Sequence, residues 1–285
     1  MSPDLLALVV RTLALAGVFQ AAGAAFFVVL FGPWLLQSGQ RIRRLGCYAA
    51  LAGVLLLAAQ QWLRGARMAD GYDGLFDPAL QRLAWGGSGG HAAWLQIIGL
   101  TVIAWGLFRP GRAAAGVAAI GALIAACAFA LTGHTSEHAP RALLAALLCV
   151  HLLVAAFWFG ALLPLLICSR HEARGEAVAL LRAFSGVAGW LVPAIGVAGL
   201  AMGLMLIPAP RGWRAAYGLL VLSKLGAFGL LLLLAAWNRW WAVPAMAAGD
   251  VPAAPMALRR SIAIEYLLLT AVLAVTAVLT SFYSP

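Results

Sequence analysis

Residues 142–168 read ALLAALLCVHLLVAAFWFGALLPLLIC. No Asp, Glu, Lys or Arg interrupts the stretch, and it exceeds the ~20 apolar residues that cross a hydrocarbon core as a helix. Its polar exception is His151. Similar stretches cover 5–31, 46–63, 90–108, 113–132, 186–207, 216–238 and 262–281. The whole chain is 64% hydrophobic and 10% charged, with a mean hydropathy of +0.97. Soluble globular domains carry about 25% charged residues, so a soluble reading is excluded. The expected fold is all-α: a polytopic transmembrane helical bundle of eight spans, with residues 1–285 forming a single integral membrane domain in the lipid bilayer.

The net charge of +10 is not a nucleic-acid signature, because the basic residues sit in short loops beside apolar runs. Their distribution sets orientation. Arg41, Arg43, Arg44, Arg109, Arg112, Arg170, Arg174, Arg182, Arg239, Arg259 and Arg260 fall on one side; Arg64, Arg67, Arg82, Arg141, Arg211 and Arg214 fall on the other. The positive-inside rule then places both termini on the outer side. The N-terminal run is too long for a cleavable signal peptide and opens with Asp4 rather than a basic region. Cys47, Cys127, Cys149 and Cys168 lie in or beside apolar runs without a C-x-x-C pair, which speaks against a disulfide framework.

The two longer connections, 64–89 and 239–261, show local order. Asp77-Pro78 reads as an N-cap with proline at the first helical position, opening a short helix. Gly86-Gly87-Ser88-Gly89-Gly90 is expected to break that helix before the third span. On the inner side, Ala177, Leu180, Leu181 and Phe184 recur at helical spacing, which suggests an interfacial helix leading into the sixth span. Trp240 and Trp241 beside Arg239 read as an interface anchor.

With this topology the candidate ligands gather at the outer face. His91 opens the third span, His134 and His138 occupy the connection between the fourth and fifth, and His151 lies ~13 Å below the outer surface at 1.5 Å per residue. Met202 and Met205, three apart near the outer end of the sixth span, share a face. Imidazole with thioether suits copper: thioether favours Cu(I), and imidazole serves either oxidation state. No carboxylate cluster is present that would select magnesium or calcium. Each residue also has a plainer reading. His91 and His138 read as boundary residues, and Met202, Met205, Cys127 and Cys149 as packing. A buried imidazole at the depth of His151 is costly without a partner. Arg11, Lys224 and Glu265 are further charges within spans, and Arg11 and Lys224 can snorkel.

The segment Gly133-His134 … His151-Leu152-Leu153-Val154-Ala155-Ala156-Phe157-Trp158-Phe159-Gly160 … Pro164-Leu165 resembles the central signature of the copper resistance protein D family. Phe184-Ser185, Lys224, Asn238-Arg239 and the closing Leu258-Arg259-Arg260-Ser261 … Glu265 … Leu279-Thr280-Ser281 fit the same pattern. The resemblance implies a multi-pass protein of the bacterial inner membrane that moves copper, often beside a periplasmic copper-binding protein. It also implies that His134 and His151 are functional, with Trp158 near them. His91 and His138 lie outside the matching pattern.

Copper import from the outer face is therefore the leading expectation, with copper ion as the bound species. Without a Walker A or phosphorylated-aspartate motif, ATP is not expected to drive it. Two alternatives stay open. His134-Thr135-Ser136-Glu137-His138 matches H-x-x-E-H, a zinc peptidase pattern, but later glutamates map to the opposite face and supply no third ligand. A b-type haem would need two histidines at equal depth on facing helices. The expectation is a transporter rather than an enzyme.

Overall fold

The computed structural model describes residues 2–132, 140–206 and 216–282. Ten α-helices make up most of these residues: α1 (Pro3–Phe31), α2 (Gly39–Met68), α3 (Pro78–Gly86), α4 (Ser88–Phe108), α5 (Arg112–Cys127), α6 (Arg141–His171), α7 (Arg174–Leu206), α8 (Ala216–Trp237), α9 (Val243–Ala248) and α10 (Ala254–Phe282). Among the described residues, eight helical segments are long and apolar enough to span a bilayer, as the hydropathy reading expects. The seventh runs Gly218–Ala248, because a π-turn at Asn238–Ala242 joins α8 to α9 without a break.

The centre of the bundle is α1, which packs against α2, α4, α5, α6 and α10. Its middle, Gln20-Ala21-Ala22-Gly23-Ala24-Ala25, is wholly buried. Small residues let helix backbones approach closely in lipid, where packing replaces the hydrophobic drive to associate. Gly23 and Gly160 of α6 meet at such a contact; a Cβ on either would run into the other helix's backbone. Gln20 Nε2 donates to the Gly160 carbonyl at 3.0 Å across the same contact. Gly99 of α4 and Gly121 of α5 repeat the arrangement in the N-terminal half.

Several boundaries differ from the sequence expectation. Asp77 does cap α3, with Oδ1 accepting from the Ala79 and Leu80 amides at 2.7 and 3.3 Å. The glycine-rich run separates α3 from α4 by Gly87 alone, and α4 takes in Gly89 and Gly90. Gly90 is demanded there, since a Cβ would meet the backbone of Trp85. The interfacial helix at 177–184 is the first part of α7, and Ala177, Leu180 and Leu181 turn into protein rather than lipid. The expected long connection at 239–261 shrinks to 249–253, because α9 and α10 extend the neighbouring spans.

At one end of the bundle Glu172 closes α6 onto the start of α2. Its carboxylate accepts from the Gln37 amide at 3.1 and 3.2 Å, the Ser38 amide at 2.8 Å and the Ser38 hydroxyl at 2.5 Å. At the other end Arg67 Nε pairs with Asp4 at 2.7 Å.

Candidate functional site

His151 sits ten residues into α6, so it lies about 15 Å from the start of that helix. Its ring packs against α7 where Gly199 leaves room; a Cβ on Gly199 would stand 3.1 Å from the imidazole. Nδ1 is 3.1 Å from the Ile195 carbonyl. A carbonyl oxygen only accepts, so Nδ1 carries the proton and the Nε2 lone pair is left uncommitted. That is the arrangement of a histidine prepared for a metal, whose second nitrogen is normally fixed by an acceptor. Ile195, Gly199 and Met202 share one face of α7 by helical spacing, which puts Met202 one turn beyond Gly199 toward the C-terminal end of α7.

Met202 is buried, whereas Met205 is 41% exposed and turned away from the bundle. His91 is exposed on the first turn of α4, and α4 packs chiefly on α1, α2, α3 and α5 rather than on α6. His151 and Met202 thus fall on facing sides of α6 and α7, a seam that His91 and Met205 do not share. His134 and His138 lie outside the described residues, as does the whole H-x-x-E-H stretch. Among the described residues no group of three or more His, Cys, Asp or Glu side chains is placed to hold a metal ion. No second histidine among them faces His151 at equal depth, as a b-type haem would require.

The four cysteines are free. Cys149 and His151 point to different sides of α6, so the thiols do not join the imidazole. Lys224 stands one turn before Phe228 on α8, and Phe228 packs against Trp158, two turns from His151 on α6. Sequence reading placed Lys224 within the seventh span without connecting it to His151.

The other residues that carried the family resemblance also meet. Trp158, Ser185, Asn238, Arg239 and Glu265, from α6, α7, the π-turn and α10, line one cleft of about 70 Å³. Asn238 and Glu265 are 27 positions apart in the chain, and only their polarity within apolar runs hinted at the pairing.

The chain matches two family models: "Copper resistance protein D-like, N-terminal domain" over residues 1–141 and "Copper resistance protein D" over residues 178–279. It is similar to "Inner membrane protein YebZ" of Escherichia coli (strain K12), with 25% identity over 252 residues, 83% of this chain and 86% of that protein. No solved structure matches it.

Proposed function

The chain belongs to the copper resistance protein D family and is a multi-pass inner-membrane protein, and from that premise we propose that it imports copper ions across the bacterial inner membrane. Both termini face the periplasm in this reading, following the arginine distribution. Copper is the cargo, collected at the outer face by His134 and His151 with Met202 behind them. His138, His91 and Met205 are outlying members of the set, available to a copper ion arriving at the surface. A periplasmic copper-binding protein would deliver the ion there.

The observation that carries the proposal is the geometry of His151. Its Nδ1 proton is spent on the Ile195 carbonyl, which leaves Nε2 to a metal, and buried Met202 follows Gly199 by one turn on the α7 face that meets the imidazole. Imidazole nitrogen with thioether sulfur is a donor pair that favours copper over the hard divalent cations.

Copper content of the detergent-purified protein tests it. Near-stoichiometric copper in the wild type, falling in both His134→Ala and His151→Ala, supports the site. Copper retained in His151→Ala would remove His151 from it. A Soret band lost in the same variant would move the assignment to haem.

A further inference from the structure

The face of α6 that carries His151 continues inward. Trp158, Leu162 and Leu165 follow at seven, eleven and fourteen residues, so all four side chains fall on one stripe. Trp158 is about 10 Å below His151 along the axis. Lys224 and Phe228 stand one turn apart on α8, and Phe228 packs edge-on to Trp158 with ring centroids 6.2 Å apart. An outer layer of His151 and Lys224 is thereby closed off by an aromatic pair. Beyond that pair lies the cleft that Glu265 lines.

Glu265 is 3% exposed. It lies eleven residues into α10, deeper than sequence reading placed it, because α10 begins eight residues earlier than expected. Asn238 Nδ2 donates to its Oε1 at 2.5 Å, and the Trp158 indole lines the same cleft. Neither residue is a cation. The charged group that shares the cleft is Arg239, which is spent elsewhere: Nη1 donates to the Ser185 carbonyl at 2.7 Å and hydroxyl at 3.1 Å. Among the described residues, the other elements packed on α10 bring no further charge into the cleft. Cleft-lining positions of α8 and α9 are the apolar Ala235 and Val243, and α1 has no ionisable residue between Arg11 and its end. On α10 itself, Arg259 donates to the Ser169 carbonyl, Arg260 is one residue further on, and Tyr266 stacks on Phe159.

A buried carboxyl within a span, without a cationic partner, is the kind of group that carries protons in membrane pumps and transporters. The donor set fits that occupant. Carboxylate and amide oxygens are hard and do not compete for Cu(I); one carboxylate also falls far short of the six or more oxygens a calcium ion takes. Asn238 can serve both protonation states. Its NH2 donates to the carboxylate, and its Oδ1, buried with no hydrogen-bond partner, can accept from the carboxylic acid after the amide turns over.

We propose that Glu265, held by Asn238 at the head of this cleft, is a proton-exchange site that couples copper movement to proton movement across the same membrane. The coupling rests on the copper-import reading above; the proton site does not. In loading, a hydronium ion in the cleft gives a proton to a Glu265 carboxylate oxygen, leaving water and a neutral acid. In release, that O–H bond breaks, its electron pair stays on the carboxylate, and water takes the proton away.

Two measurements on the full-length protein test this. Infrared difference spectroscopy of the purified protein across a pH series should show the carbonyl stretch of a protonated carboxyl, lost in Glu265→Gln and shifted in Asn238→Leu. In proteoliposomes loaded with a pH dye, added Cu(I) should drive a proton flux in the wild type, reduced at least ten-fold in Glu265→Gln and partly restored in Glu265→Asp. A carboxyl band that survives Glu265→Gln, or one that follows sodium at fixed pH rather than pH, overturns the proton site. Wild-type copper uptake without proton flux overturns the coupling. A titrating band with no copper uptake refutes the import reading and the coupling with it, and leaves the proton site standing. Should Glu265→Gln not fold, Asn238→Leu and Glu265→Asp carry both readouts.

Discussion

α1 and α8 are indistinguishable by hydropathy and opposite in environment. The spans that contain them have mean hydropathies of 2.2 and 2.3, yet 67% of the apolar window is buried in the first and 6% in the second. Side-chain size separates them. The middle of α1 is alanine and glycine, so its neighbours close in on every side; α8 carries Leu230-Leu231-Leu232-Leu233-Leu234, of which only Leu231 is fully buried. In lipid, leucine gains little by leaving the acyl chains, and close approach is what holds helices together. The polar groups sort the other way. Lys224 and Asn238 belong to the loosely held span, and the described part of the candidate copper site lies against α7 and α8. The packed half is scaffold, and the side of α6 turned toward α7 and α8 is where an ion could be handled.

The largest effect expected is at the scaffold. Gly160→Leu should cost about 3 kcal/mol or more, since the new side chain meets the α1 backbone and not a flexible neighbour. Loss of a monodisperse peak in detergent and a collapse of thermal stability would show it. A well-folded Gly160→Leu would break the contrast, because α1 would then tolerate what only a lipid-facing helix should.

Next comes His151, nine positions away on the same helix but on its other business. His151→Ala should keep the wild-type melting temperature within a few degrees and lose roughly 100-fold in copper affinity, since removing even a metal ligand's supporting partner typically costs 10–100-fold. Competition titration with a Cu(I) chelator reads the affinity. Equal loss of fold in His151→Ala and Gly160→Leu would mean that the two faces of α6 are not separate in role.

How much of this was legible beforehand follows the same division. Length and apolarity disclosed eight spans, and Asp77-Pro78 disclosed the start of α3. Hydropathy reads along the chain, so it missed what lies across it. The Glu172 latch joins residues 134 and 135 positions apart. The Asn238 carboxamide on Glu265 depends on a π-turn that no local pattern announces. The amphipathic pattern at 177–184 was read correctly as a helix and wrongly as interfacial, because its apolar face meets protein instead of lipid and periodicity cannot tell the two apart. Of the expected ligand set, depth alone singled out His151, while the separation of Met202 from Met205 needed the rotation of α7 to be known.

Lys224 offers a smaller effect of opposite sign. A positive charge beside a copper ligand opposes the ion, by about 1–2 kcal/mol for charges ~8–15 Å apart at an effective dielectric constant of ~20. Lys224→Met should therefore tighten copper binding roughly ten-fold in the chelator titration, with His151 intact. Weaker binding would show instead that the ammonium holds part of the site together, which would move α8 from bystander to structural element.

The smallest effect is the most diagnostic of the difference between the helices. Leu233 is 69% exposed on α8. In a soluble core Leu→Ala costs 2–5 kcal/mol through lost transfer energy and the cavity left behind. Neither contribution applies when lipid replaces the missing methyl groups, so Leu233→Ala should change stability by less than about 0.5 kcal/mol. The control is Leu162→Ala on α6, where the side chain is 1% exposed and packs in the core, and where the full cavity cost is expected. Thermal inactivation of both variants in bilayer nanodiscs gives the ratio directly. If Leu233→Ala proved as costly as Leu162→Ala, the exposed face of α8 would have to be covered by protein in the membrane, and the loosely held half would be an interface rather than a lipid-facing wall.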